Sequence, residues 1–295
     1  MAASTQPEFD SIRPRLFGIA YRMLGSASEA EDMVQDAWLR WHGARRDAVD
    51  DPEAYLVRTV TRLCLDHLKS ARVRRETYVG EWLPEPLPTG DGPAELFEAI
   101  SFAFLVALER LTPPERAAYL LHEVFGYSHA EVGAILERSP EACRQLHMRA
   151  GRALRADRPR FDADPREHRR LLDGFVAACR AQDLDGLVAL LSADVVARSD
   201  GGGRVRTARR SVHGADAVSR LFIGLARNAA GGLAFDIRAI NGRPAVVATR
   251  DGRPVSVIQI SVAGGRIAAI DSVLNPDKLA AVATALPADP PGIIG

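Results

Sequence analysis

Three scarcities narrow the class of this chain before any motif is read. Cysteine is one: 295 residues hold only Cys64, Cys143 and Cys179. All three fall inside apolar helical patterns, and their spacing fits neither a zinc site nor a disulfide framework. They read as reduced core residues of a cytosolic protein. Net charge is another: 38 basic residues balance 38 acidic ones. Nucleic-acid binding cannot then be argued from overall charge and has to come from local segregation. Long apolar runs are the third. No stretch of about eighteen apolar residues and no charged-then-apolar leader pattern is present, so the chain is expected to be cytoplasmic and to have no membrane partner. No internal repeat is found, and the length suits two or three domains.

What is present concentrates between Tyr127 and Arg160. Ser128 with Glu131 is a capping box, each side chain satisfying an orphan backbone N–H. His129 to Leu136 is a short helix with Val132, Ile135 and Leu136 on its apolar side, and Glu137-Arg138 makes a tight turn. Ser139-Pro140-Glu141 starts a second helix, with an N-cap, a proline at the first position and an acid in the first turn. Cys143, Leu146, Ala150 and Leu154 recur at helical spacing and should face inward. Outside, seven arginines (138, 144, 149, 152, 155, 158 and 160) stand against two acids (141 and 157), a balance of +5. Two short helices joined by a tight turn, the second cationic outside and apolar inside, form the pattern of a helix-turn-helix. An ordinary amphipathic helix pair with a solvated arginine face is the alternative.

Before this pair, residues 8 to 75 read as helix throughout. Gly25 closes a helix that carries Leu16, Ile19, Ala20 and Met23. Ser28 with Glu31 reads as another capping box, opening a helix with Met33, Val34, Ala37, Trp38 and Trp41 on one side. Glu29, Asp32, Gln35 and Asp36 make its other side acidic. Asp51-Pro52-Glu53 starts a helix to about Arg75, buried through Leu56, Val60, Leu63, Cys64, Leu65 and Leu68. Its Arg58, Arg62, Lys69, Arg72, Arg74 and Arg75 face one acid, Asp66. Aromatic and basic residues on one element suit a single strand of nucleic acid, although Tyr55 reads equally well as core. Thr77 to Pro93 is an extended linker by its prolines and glycines, yet it holds Trp82 and Leu83, which are expected to dock. Ala94 to Leu111 is helical, and Thr112-Pro113-Pro114-Glu115 opens a helix ending at Gly126.

From Pro165 the character changes. Three helices are expected, 168–180, 184–191 and 214–226. Four strands follow, around 235–239, 246–247, 255–262 and 267–273. Asn241-Gly242, Asp251-Gly252 and Gly264-Gly265 are suited to tight hairpins. Helices first and an antiparallel meander afterwards imply an α+β domain.

An acidic helix, a basic-aromatic helix, a linker and a helix-turn-helix, in that order, resemble an RNA polymerase sigma factor of the extracytoplasmic-function type over residues 8 to 157. Trp82-Leu83-Pro84-Glu85-Pro86, Asp200-Gly201-Gly202-Gly203-Arg204 and Asn275-Pro276-Asp277-Lys278-Leu279 narrow the resemblance to the subfamily with a fused SnoaL-like domain. That resemblance implies a multidomain chain. A region 2 domain spans 1–76, a Pro/Gly linker 77–93, a region 4 helix-turn-helix domain 94–160, a cone-shaped α+β SnoaL-like domain 165–285, and a flexible tail 286–295. It also implies core RNA polymerase and promoter DNA as partners. Asp32, Gln35 and Asp36 would grip the polymerase clamp helices. Tyr55, Arg58, Arg62, Asp66, Lys69 and Arg72 would read the −10 element. Glu141, Arg144, Gln145 and Met148 would reach base edges of the −35 element, with Arg149 and Arg152 on phosphates. Trp82, Leu83, Pro84, Asp200, Gly202, Arg204, Asn275, Pro276, Asp277 and Lys278 would form an interdomain regulatory contact.

SnoaL-like folds include cyclases and isomerases, so an enzyme is the competing class, and a ligand-sensing cavity holding a small molecule is a third. Asp194, Asp200, His213 and Asp271 are the candidate acid-base groups. Each has a structural reading: Asp194 caps or ends a helix, Asp200 leads a glycine turn, and His213 and Asp271 are strand-edge polar residues. No catalytic residue, cofactor or metal is expected.

Overall fold

The computed structural model describes residues 5–44, 49–76, 78–89, 101–155, 164–228 and 232–285, with side chains at 5–8 and 71–76 left undescribed. The chain divides into two compact units, residues 1–77 with 105–156, and 78–104 with 157–295.

The first unit is helical. Helices α1 (Thr5–Leu24), α2 (Ala27–Gly43) and α3 (Pro52–Glu76) bury one stripe each. Leu16, Ile19 and Met23 meet Val34, Ala37, Trp41, Leu56, Val60 and Cys64 in a core with almost no exposed surface. Gly25 ends α1 at φ 70°, a left-handed turn that its N–H closes onto the Tyr21 carbonyl. Helix α2 starts two residues earlier than the expected Ser28 box. Its cap is Ser26, whose hydroxyl accepts the Glu29 N–H at 3.2 Å while lying 3.0 Å from the Ser28 hydroxyl. Both serines had the right chemistry, and the backbone of Ser26 is the one left extended.

Helix α4 (Phe102–Leu108) is the described part of the helical stretch expected over 94–111; residues 94–100 lie outside the described residues. Helix α5 (Pro113–Tyr119) begins as expected at Thr112, whose N–H and hydroxyl both donate to Glu115. It does not run uniformly to Gly126, because Leu120–Val124 widens into a π turn. Helix α6 (His129–Leu136) follows with the expected bounds, and α7 (Pro140–Arg155) starts where expected. Three polar contacts tie α5–α7 to α1–α3. Arg116, 3% exposed, donates to the Met23 carbonyl at 2.7 Å and to Glu109 at 2.8 Å. Arg15 donates to the Phe125 carbonyl, and Arg62 to Glu137.

The second unit packs helices α8 (Pro165–Ala181), α9 (Leu184–Leu190) and α10 (Ala215–Asn228) on a sheet. The sheet has six strands, not the four expected. The additions are β1 (Leu191–Asp200) and β2 (Val212–His213), which precede β3 (Leu233–Ile240), β4 (Arg243–Arg250), β5 (Arg253–Ala263) and β6 (Arg266–Val273). The order is β2-β1-β6-β5-β4-β3, with β1 parallel to β6 and every other pair antiparallel. Asp194 therefore lies in a strand and neither caps nor ends a helix. Strand β1 was hidden because Ser192, Ala193 and Asp194 break its alternation; its partner is distant in sequence, and pairing with β6 decides it.

The hairpin dipeptides behave as read. Asn241-Gly242, Asp251-Gly252 and Gly264-Gly265 all have positive φ at both positions, as a type I′ turn requires. Register shifts in β1, β4 and β5 bend the sheet. Its inner face, with Val195, Val246, Ile260, Ile267 and Ile270, closes over Leu171, Leu172, Phe175 and Phe222 of the helices.

Candidate functional site

The helix-turn-helix is built from local rules. Ser128 and Glu131 complete their capping box, and Glu137 takes the left-handed conformation at φ 55° to end α6. Gly133 allows the turn to close: a Cβ there would lie 2.7 Å from the Arg138 carbonyl oxygen. Ser139 then accepts the Ala142 N–H at 3.2 Å to start α7. Cys143, Leu146, Ala150 and Leu154 are buried, and Glu141, Arg144, Gln145, Met148, Arg149 and Arg152 are exposed on the opposite side. Met148 is 49% exposed, a large apolar group that the fold leaves in solvent. Arg149 is not idle, since its Nε donates to Glu115 at 2.9 Å. Burial acts to raise the Glu115 pKa, but the Thr112 bonds and Arg149 outweigh it and hold the carboxyl low. With the guanidinium more than half exposed, such a pair contributes at most about 1 kcal/mol and yields readily to a phosphate.

On α3 the expected strand-reading residues are less uniform. Arg58 is exposed. Arg62 is half-buried and its Nη2 lies 2.6 Å from Glu137, the residue at the turn of the helix-turn-helix. Asp66 and Lys69 pair with each other at 2.7 Å on an exposed face. Tyr55 is half-buried, its ring 5.5 Å from that of Trp41. Helix α3 includes Arg72, whose side chain lies outside the described residues.

On α2 the side chains of Asp32, Gln35 and Asp36 are all exposed. Leu39, one turn further along and 60% exposed, extends that face with an apolar group. The sequence reading missed Leu39. Its spacing from Gln35 and Asp36, four and three residues, was the available signal.

In the second unit the three pentapeptide motifs meet at one buried carboxylate. Asp200, at the end of β1, is 0% exposed. Its Oδ1 accepts the Tyr78 hydroxyl at 2.6 Å and the Gly202 N–H at 3.0 Å. Its Oδ2 accepts the Leu83 N–H at 2.9 Å and the Lys278 ammonium at 2.7 Å. Four donors fill the acceptor capacity of an ionised carboxylate. Lys278 also donates to the Leu83 carbonyl and stands 4.0 Å from the centre of the Trp82 ring. Asn275 donates to the Tyr78 hydroxyl at 3.0 Å and receives the Asp277 N–H, capping the short 3₁₀ turn Pro276–Lys278. Gly202 is required here, at φ 60° and with the place of a Cβ 2.4 Å from Asn275. Burial and the Asp200 bond push the Tyr78 phenol pKa well up, so it stays a donor.

The stretch read as an extended linker, with Trp82 and Leu83 expected to dock, is held within the second unit. Leu83 and Pro84 are buried, Glu81 accepts Ser211, and Leu87, Pro88 and Thr89 pair with the β3–β4 turn. The Asn275–Leu279 motif closes this knot through Asn275 and Lys278. Arg204 and Asp277 pair at 2.9 Å on its exposed rim.

Of the four acid-base candidates, Asp271 and Asp200 are held by structural bonds. Asp271 is not at a strand edge; it sits on β6 between β1 and β5, 1% exposed. Arg198 holds it with two bonds, at 2.6 and 3.1 Å. His213 is on the edge strand β2, Asp194 is exposed on β1, and Asp200 is saturated as described.

Two helical groups, one with an acidic face beside a basic helix and the other a helix-turn-helix, define a promoter-reading class of protein. Residues 9–74 match the family model for sigma-70 region 2, and residues 101–154 match that for sigma-70 region 4. The chain is 39% identical over 288 residues to the ECF RNA polymerase sigma factor SigJ of Mycobacterium tuberculosis, covering 92% of both chains. It is 33% identical to the probable ECF RNA polymerase sigma factor SigI of the same species, covering 90% of this chain and 92% of that one. The crystal structure of the Mycobacterium tuberculosis SigJ superposes with a TM-score of 0.77 at 36% identity, over 96% of this chain and all of that one. The chain belongs to the extracytoplasmic-function RNA polymerase sigma factors, with an α+β SnoaL-like unit after the helix-turn-helix. Among the described residues no helix is long and apolar enough to cross a membrane.

Proposed function

We propose that this chain binds core RNA polymerase in the cytoplasm and directs it to promoters through −35 and −10 elements. The observation that carries the reading is helix α7, which buries Cys143, Leu146, Ala150 and Leu154 while presenting Glu141, Arg144, Gln145 and Met148 outward beside Arg149 and Arg152. Side chains at the start of such a helix reach base edges in the major groove, and the arginines beyond them neutralise phosphates. Tyr55, Arg58, Arg62, Asp66, Lys69 and Arg72 serve the −10 strand. Arg62 does so after leaving Glu137, an exchange that costs little for a partly exposed pair. Asp32, Gln35 and Asp36, extended by Leu39, form the grip on the polymerase.

The second unit modulates this activity in cis and performs no catalysis. Two of its four candidate bases are consumed by structural bonds, Asp271 by Arg198 and Asp200 by four donors. Its knot fixes Tyr78–Thr89, the stretch that follows α3 after Thr77 and leads toward the region 4 match. Tying those residues down limits the length of chain free between the two promoter-reading regions.

Run-off transcription with purified core polymerase tests the reading. The full-length chain should give promoter-specific transcripts that core polymerase alone does not make. Transcripts that do not depend on added chain, or that start at random, would overturn it.

A further inference from the structure

Three of the seven histidines lie on three different elements and converge. His122 is in the π turn after α5, His129 opens α6, and His147 is on the recognition helix α7. One nitrogen of each can be chosen so that all lie within 4.8 Å of one another. The His122 and His129 rings stack with centroids 4.0 Å apart, and His147 meets His122 edge-on at 4.6 Å. His129 Nε2 is 3.3 Å from His147 Nδ1.

The partners on the far side of two rings decide where their protons sit. His122 Nδ1 is 2.7 Å from the Tyr127 carbonyl oxygen. A carbonyl only accepts, so the proton is on Nδ1 and Nε2 keeps its lone pair. His147 Nε2 is 2.8 Å from Glu123 Oε1. A carboxylate only accepts, so Nε2 carries the proton and, in the neutral ring, the Nδ1 toward His129 keeps its lone pair. A ring nitrogen held by a carbonyl and another held by a carboxylate are the outer contacts that orient metal-ligating histidines.

We propose that His122, His129 and His147 bind one zinc ion, with Glu123 and the Tyr127 carbonyl as outer partners and a fourth position open to water. Imidazole nitrogens favour zinc and its transition-metal neighbours over magnesium or calcium. A tetrahedral ion with Zn–N bonds of about 2.0–2.1 Å needs its nitrogens roughly 3.4 Å apart. The His129–His147 separation of 3.3 Å already meets that, and His122 has only to close from within 4.8 Å. All three rings are half-buried, reachable by an ion from solvent. The bound ion would pin the π turn, α6 and α7 together, fixing the recognition helix in its frame. Metal binding does not depend on promoter reading, so the two are tested separately.

Calorimetric titration of the metal-free full chain with zinc chloride, and of the same chain with cobalt(II), tests the site. One ion should bind per chain, and one equivalent of cobalt should give the intense visible bands of a tetrahedral ion. His129→Ala and His147→Ala should each weaken zinc binding at least about 100-fold, and Glu123→Gln about 10-fold. His42→Ala and His213→Ala should leave it unchanged. Circular dichroism of each metal-free variant checks folding, and Glu123→Gln, at an exposed residue, keeps the test alive if a histidine variant unfolds. Absence of one-to-one binding to the wild-type chain would overturn the proposal. So would affinity that survives His129→Ala and His147→Ala, or cobalt spectra of an octahedral ion.

Discussion

At the scale of single residues, burial decides chemistry that sequence position does not reveal. His168 on α8 is buried, with its Nε2–H donating to the Ile260 carbonyl at 3.1 Å. Burial, with Arg243 adding to it, lowers its pKa below the ordinary 6.5. The unfolded chain therefore takes up this proton more readily than the folded one. Stability from His168 is complete above about pH 6.5 and is lost as pH falls toward the lower folded value. Urea midpoints measured between about pH 7.5 and 5.5 should fall for the wild type and fall less for His168→Gln. Equal slopes would remove His168 from the account. Asp200 is a buried charge made tolerable by four donors. Asp200→Ala removes the carboxylate that meets the largely buried Lys278 ammonium at 2.7 Å and should cost about 3–5 kcal/mol of stability in the second unit. Chemical denaturation followed through Trp82 fluorescence measures it.

At the scale of elements, the two exposed helix faces are proposed to carry separable duties. Arg144→Ala in α7 should weaken promoter binding by about 1–3 kcal/mol and relax base preference at one position. Arg152→Ala should weaken all sequences alike and reduce the salt slope by about one phosphate. Binding measured against salt on matched and mismatched duplexes separates them, and identical behaviour of the two variants would refute the assignment of faces. On α2, reversing Asp32 and Asp36 to lysine should abolish co-purification with core polymerase at unchanged helix content. Both side chains are in solvent, so loss of circular dichroism would contradict the structure itself. Leu39→Ala should weaken the same interaction without touching the charge.

At the scale of the whole molecule, the knot around Asp200 is the proposed point of control. Tyr78–Thr89 is twelve residues, which if released could span up to about 40 Å. Lys278→Met removes the ammonium that bridges Asp200 and the Leu83 carbonyl and stands over Trp82. In the full-length chain it should change transcript yield while leaving the salt dependence of α7 binding to an isolated −35 duplex unchanged. A double-mutant cycle between Trp82 and Lys278 should show coupling of about 0.5–3 kcal/mol. Strict additivity together with unaltered transcription would separate the knot from regulation.

The sequence determined what nearest neighbours decide. The Ser128–Glu131 box, the Pro140 start and the 143, 146, 150, 154 stripe specify the helix-turn-helix within a turn or two, because caps and helical period act over three or four residues. The dipeptides at 241–242, 251–252 and 264–265 specify the hairpins for the same reason. The tertiary structure decided everything whose partner is far along the chain. Strand β1 exists because β6 pairs with it from more than seventy residues away. Asp271 is buried and harmless because Arg198 faces it across that pairing. In Tyr78 to Thr89, Trp82 and Leu83 read as groups that dock, but prolines and glycines remove local order, and nothing local says that Asp200, Asn275 and Lys278 hold the stretch. Local propensity carries no information about a carboxylate more than a hundred residues away; only packing brings the two together.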